Sequence, residues 1–242
     1  MMRRPFDVIY EDNHLIIVNK KSGVLVQGDK TGDKNLAEYV KDYIKEKYDK
    51  PGDVFLGTVH RLDRPVSGLI IFARTSKALE RMNELFKKRK IQKTYWAITR
   101  NKPAEKNGRL THWLVKNSVT NKVTAYNKEV PDSKKAELTY RYIGRINDYH
   151  LIEVSPITGR SHQIRVQLAA MGCPIRGDIK YGYPKGNADG SICLHSRRVY
   201  FMHPTKKEPL LCKAALPEQP FWEEFLSLET EEIKTENLDF LH

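Results

Sequence analysis

One carboxylate carries the chemistry this sequence offers. Asp63 sits in His60-Arg61-Leu62-Asp63-Arg64, between two arginines, ahead of a Pro65–Gly68 break and a short, very apolar run from Gly68 to Ala73. A run of that kind reads as a strand buried on both faces. The carboxylate therefore belongs on a loop at the mouth of a core strand. Neighbouring arginines keep such a group ionised, and an ionised, positioned carboxylate can act as a nucleophile toward an electrophilic carbon. The same residues also make an ordinary loop salt bridge, and charge alone leaves both readings open.

Other chemistries have less support. His60, Asp63, His162, His195 and His203 show no tight ligand spacing, and Cys193-x-His195 alone is a weak metal signal. No metal is expected. The chain has neither a phosphate-binding glycine loop nor a dinucleotide fingerprint. Ser67 and Ser161 lack the Gly-x-Ser-x-Gly context of a serine nucleophile. Cys173, Cys193 and Cys212 are odd in number and match no metal motif, which predicts free thiols in a reducing compartment.

The elements that must position Asp63 follow from pattern. Residues 6–20 read as two strands around an Asp12-Asn13 turn. Asn35–Tyr48 reads as an amphipathic helix, with Asn35 and Glu38 as a capping box and Pro51-Gly52 as its stop. Thr75 or Ser76 opens a second helix to about Arg89. It ends in Lys87-Lys88-Arg89-Lys90, followed by Lys93. Lys93–Thr99 alternates like a strand, and Asn107-Gly108 is a turn signal. From there to Pro156 the pattern predicts an antiparallel meander of four strands: 110–115, 122–126, 136–143 and 149–154. Thr158-Gly159-Arg160 opens a third helix over Ser161–Met171, with His162 and Arg165 one turn apart on the same side. Strands near Arg198–Met202 and Leu210–Ala215, then an acidic helix from about Pro220, complete the chain. The fold class is α+β, a mostly antiparallel mixed sheet flanked by helices, in a single domain over 1–242 with an acidic tail at about 220–242.

The charge is +12 over 242 residues, and it is uneven. Residues 222–242 hold seven acids and one base, so the remainder carries 41 basic and 23 acidic residues, a net +18. A body that basic favours a polyanionic partner. The chain has no apolar run long enough for a membrane helix, and its first twelve residues have no apolar stretch long enough to predict a signal peptide. A cytoplasmic monomer acting on RNA, with no membrane partner, is the expectation.

The blocks around Asp63 resemble the RluA-type pseudouridine synthases. His60-Arg61-Leu62-Asp63 followed by 64–69 is similar to that family's active-site motif. Lys93-Thr94-Tyr95 resembles its Lys-x-Tyr strand motif. Thr158–Arg165 resembles its TGRxHQIR helix start, Gly172–Gly182 its GxPIxGDxxYG segment, and Leu194–Pro204 its LHSxxxxFxHP segment. Departures are Lys21 where the family commonly has proline, Val66 where threonine is frequent and Gln167 where histidine is frequent. The resemblance implies a pseudouridine synthase core that needs no cofactor, and no S4-like domain is expected ahead of a core whose first strand begins by Phe6.

By the same resemblance the reaction isomerises specific uridines in structured RNA, ribosomal or transfer. Asp63 acts as nucleophile or sugar deprotonator, Arg165 pairs with it, and Tyr95 takes the proton from carbon 5. Arg61 enters the space left by the flipped base. Arg64, Arg160, His162 and the 87–93 basic run, Lys93 included, are phosphate candidates, and His60 is a group that orients the backbone. The alternative is a non-catalytic RNA-binding protein on the same fold, against which the intact Asp63, Tyr95 and Arg165 speak.

Overall fold

Strands β2 (Leu15–Lys20) and β4 (Ser67–Ala73) are buried at every position, which is why neither shows polar alternation. They pair antiparallel with Leu15 opposite Ala73 and Lys20 opposite Gly68. The computed structural model describes residues 4–28 and 32–229. The chain folds as two compact units. One comprises the described residues of Met1–Ile91 with Ser196–Ala215, the other those of Gln92–His195 with Leu216–His242.

In the first unit the strand order is β1 (Phe6–Glu11), β2, β4, β10 (Leu194–Met202, of which Ser196 onward belongs here). In addition β3 (Gly57–Thr58) pairs with β4, and β11 (Pro209–Lys213) with β10. Helix α1 (Leu36–Lys47) buries Leu36, Val40 and Ile44. Its capping box is complete: Glu38 N–H donates to Asn35 Oδ1 at 3.3 Å, and Asn35 N–H donates to Glu38 Oε2 at 2.8 Å. Helix α2 (Ser76–Lys87) is capped by Thr75 and stops before Arg89, whose positive φ ends it. Ala78 and Met82 of α2 pack with Leu15, Ile17, Leu69, Ile71, Val199 and Phe201 in one core.

The second unit is a sheet in the order β5 (Ile91–Thr99), β9 (Tyr149–Pro156), β8 (Lys134–Ile146), β6 (Asn107–Asn117), β7 (Lys122–Tyr126), with antiparallel registers throughout. This is not the expected meander. The β6–β7 hairpin closes locally, but β8 returns on the far side of β6, so β6 separates β7 from β8. The connection from 127 to 133 is long enough for that crossing. The turn expected at Asn107-Gly108 is also absent: both residues belong to β6, opposite Arg141 and Tyr140. A Cβ on Gly108 would come within 2.7 Å of the Tyr140 ring, so the glycine makes room for an aromatic neighbour.

Helix α3 (Gln163–Ala170) begins two residues later than expected because His162 holds a left-handed backbone at φ +51°. Of the acidic helix expected from Pro220, α4 (Pro220–Glu223) runs into a 3-10 turn ending at Leu228, and 230–242 lie outside the described residues. Trp222 and Phe225 are buried, Trp222 against the His195 ring. Cys173, Cys193 and Cys212 are free and buried. No helix among the described residues is long and apolar enough to cross a membrane.

Candidate active site

The Asp63 loop is fastened from beneath. Leu62 is buried, Asp63 half-buried, and Arg61 and Arg64 exposed, so the loop anchors by its leucine and presents its charges. Val66 N–H donates to the Asp63 carbonyl at 3.0 Å, closing a turn around the carboxylate. His60 Nε2 accepts the Ile71 amide at 3.0 Å, which ties the loop's start to the middle of β4, and its ring lies over Phe86. Gly23 and Arg64 exchange two hydrogen bonds: Gly23 N–H to the Arg64 carbonyl at 2.8 Å, and Arg64 Nε to the Gly23 carbonyl at 2.9 Å. The outer face of Arg64 pairs with Asp33 at 2.9 Å.

Lys20 lies under this loop with no exposure at all. Its Nζ donates to the carbonyls of Lys21 at 3.0 Å, Val24 at 2.9 Å and Arg64 at 3.2 Å. Burial pushes the ammonium down to about 7, with the Asp63 charge opposing that shift and Arg64 adding to it. Three carbonyl acceptors match the three N–H groups of an ammonium, whereas a neutral amine offers two. The structure thus joins the 20–24 turn to the 60–66 loop through a buried cation. Charge and spacing do not separate Lys20 from Lys21; only the resemblance does, since Lys21 stands where the family commonly has proline.

Tyr95, Lys93, Arg160, His162 and Arg165 belong to the second unit. Tyr95 is buried in β5 opposite Val154 of β9. Lys93 precedes it by two residues and so shares its side of the strand. Burial pushes the Lys93 ammonium down to about 8. Its Nζ lies 3.8 Å from the point where a Cβ on Gly159 would sit, so Lys93 reaches the Thr158–Arg160 turn.

That turn is built by Gln163. Gln163 Oε1 accepts from the Thr158 hydroxyl at 2.7 Å and from the Arg160 amide at 2.9 Å. Gln163 Nε2 donates to the Glu137 carbonyl at 3.0 Å. The turn is thereby fixed to β8, with Arg160 exposed and His162 half-buried. Arg165 follows on α3, buried, and its guanidinium grips Asp178 with two hydrogen bonds: Nε to Oδ2 at 2.7 Å and Nη2 to Oδ1 at 2.8 Å. Asp178 is a partner the sequence did not mark. Its only signal was membership of the Gly172–Gly182 block, and a lone Asp after a glycine points to no chemistry.

One unit thus carries an ionisable carboxylate on a braced loop, with arginines at its rim. The other carries a tyrosine and a lysine on β5, an arginine on the Thr158–Arg160 turn and a buried arginine on α3. Among the described residues, no group of three His, Cys, Asp or Glu side chains could hold a metal ion.

The architecture is that of the pseudouridine synthase fold. Human RNA pseudouridylate synthase domain containing 4 superposes with a TM-score of 0.74 over 91% of this chain and 92% of that one, at 24% identity. Human RNA pseudouridylate synthase domain containing 1 gives 0.70 over 90% and 86%, at 22% identity. The RNA pseudouridylate synthase family model matches residues 14–170, and the chain belongs to that family. It is 32% identical over 218 residues to ribosomal large subunit pseudouridine synthase C of Vibrio vulnificus, covering 88% of this chain and 66% of that protein. It is 30% identical over 239 residues to tRNA pseudouridine synthase C of Vibrio cholerae, covering 91% and 94%. The chain spans about two thirds of the ribosomal relatives' length and nearly all of the transfer-RNA relative's.

Proposed function

We propose that this protein isomerises uridine to pseudouridine in structured RNA, ribosomal or transfer, without a cofactor. The observation that carries the reading is the Asp63 loop. Four separate anchors (His60, Leu62, Gly23 with Arg64, and Lys20) fix a loop whose business end is one half-buried carboxylate. A loop that merely carried a surface ion pair has no need of a buried lysine beneath it.

In the reaction the N1–C1′ bond of the target uridine breaks, a C5–C1′ bond forms, and the proton on C5 leaves while N1 regains one. Asp63 acts at the sugar–base junction, Tyr95 receives the C5 proton directly or through water, and Arg165 pairs with Asp63. Those roles take the chain as a single catalytic domain. Arg61, exposed beside Asp63, fills the space the base leaves, which offsets a few kcal/mol of unstacking. Arg64, Arg160, His162 and Lys93 serve the phosphates, and the net +12 charge supports a polyanionic substrate. The protein works as a cytoplasmic monomer.

The test is tritium release from RNA carrying 5-tritiated uridine, with bulk ribosomal and transfer RNA transcripts as separate substrates. Wild type releases tritium from one of them. Asp63→Asn abolishes release while its RNA affinity stays within a few fold. Turnover retained by Asp63→Asn would remove Asp63 from the mechanism.

A further inference from the structure

We propose that Asp178 is a positioning residue that holds Arg165 in its working orientation, with the Tyr181 ring as the second wall of the clamp. The inference rests on the reading of Arg165 as a site residue.

The pair is built for orientation rather than for attracting substrate. Arg165 is 6% exposed and Asp178 1%. The two hydrogen bonds, at 2.7 and 2.8 Å, use the Nε–Nη2 edge of the guanidinium, the fork geometry that fixes both the position and the plane of an arginine. The N–H groups of Nη1 lie on the opposite edge, so the clamp sets the direction in which Arg165 presents them. Tyr181 covers one face of the guanidinium, with its ring centre 5.0 Å from Arg165 Cζ.

Tyr181 is itself fixed. Its hydroxyl accepts the Val123 amide of β7 at 3.0 Å and lies 2.6 Å from His162 Nδ1. Asp178 is held by its backbone: its N–H donates to the Ile175 carbonyl at 3.0 Å, and its carbonyl accepts from Tyr181 and Tyr183 at 3.1 and 3.0 Å. Gly177 and Gly182, at φ +86° and +95°, bracket the segment with the backbone such tight turns need. The block Gly177–Gly182 is therefore one device, a carboxylate and an aromatic ring three residues apart, both closed on one arginine.

A dedicated buried carboxylate also neutralises the arginine locally. Arg165 then acts on its site partner through hydrogen-bond geometry more than through net charge. This separates the proposal from a general structural or RNA-binding role. Asp178→Asn removes half of the fork's charge but leaves a cation, so RNA affinity should hold while the chemical step slows. Misplacement of about 1 Å in a positioned group costs roughly 100-fold in rate.

The experiment compares full-length wild type with Asp178→Asn, Asp178→Glu, Arg165→Met and the Asp178→Asn/Arg165→Met double variant. Single-turnover tritium release, RNA Kd by filter binding and the 15N spectrum of the Arg165 Nε group are measured for each. Asp178→Asn is expected to lose about 100-fold in rate with Kd within threefold. The double variant should be no slower than Arg165→Met alone. Asp178→Glu keeps the charge but displaces the fork, and should lose rate while remaining folded; it decides the matter if Asp178→Asn does not fold. A rate within threefold of wild type in both Asp178 variants, multiplicative losses in the double variant, or a Kd that weakens as much as the rate would each overturn the proposal. If wild type turns over no RNA, the assignment of activity fails instead. The clamp is then judged by the Nε signal: it stands if Arg165 Nε is held in wild type and released in Asp178→Asn, and falls if the two spectra agree.

Discussion

Three glycines of the first unit separate the two costs of adding a methyl group beside the Asp63 loop. Gly68, the second residue of β4, has φ +113°, and a Cβ there would lie 2.4 Å from the Ser196 carbonyl oxygen and 2.5 Å from the Ser196 nitrogen. Both are backbone atoms of the neighbouring strand, so relief requires β4 and β10 to part by about 1 Å. Gly57 meets only the end of the Leu79 side chain, at 2.7 Å, and carries no positive φ. Gly23 has φ +89° and nothing within 4 Å. Alanine at Gly23 therefore costs about 1–2 kcal/mol of backbone strain alone. At Gly57 it costs about 1–3 kcal/mol of overpacking, because Leu79 can change rotamer. At Gly68 the two combine with loss of strand pairing, to about 4 kcal/mol or more. Urea unfolding of the three variants at one pH gives the order directly from midpoint and slope. If Gly68→Ala unfolds within 1 kcal/mol of Gly23→Ala, the close approach of β4 and β10 at Ser196 is wrong.

Two further predictions concern the same unit. Lys20 binds its proton less tightly in the folded protein, at about 7, than an ordinary lysine does at 10.5. The unfolded chain therefore holds more protons between those values, and stability should rise with pH across that window by up to about 1.4 kcal/mol per pH unit. Lys20→Met removes this contribution, so its urea stability plotted against pH should run flatter than that of wild type above pH 7; parallel curves would refute it. Asn35→Ala should cost about 1 kcal/mol of stability. Since Asn35 and Glu38 cap each other reciprocally, the double variant with Glu38→Ala should cost less than the sum of the two, and strict additivity would deny the box.

Much of the fold was legible because its signals are local. The Asn35–Glu38 box, the Asp12 turn between β1 and β2, and the unbroken apolar run of β4 each depend on residues within a few positions of one another. The errors arose where a distant residue decides. Asn107-Gly108 has the composition of a hairpin turn, but Tyr140, on another strand, requires a glycine opposite its ring. The order of β6, β7 and β8 depends on which side of β6 the chain returns, and hydrophobic alternation is the same for either side. Helix α3 starts late, after the left-handed His162, because the Gln163 side chain turns back to hold the preceding loop, which a helical period cannot register.

The candidate site divides along the same line. Its outward-facing residues stood out by charge and by motif, since Asp63 between arginines is visible in the sequence itself. The residues that hold them in place did not. Lys20 looks like half of a Lys-Lys pair, and Asp178 like a polar residue after a turn glycine, yet each is buried against a group the sequence had marked for other reasons. Burial of a charge is costly unless the site supplies partners for it. Three carbonyls around one ammonium and a two-point fork on one guanidinium are such partners, and both arrangements are assembled from residues 13 to 44 positions apart as well as from near neighbours. Each buried ion constrains direction as well as distance, which a salt bridge in water does not. In the proposed roles, a loop that presents Asp63 and a helix that presents Arg165 are the places where that constraint is worth its desolvation cost.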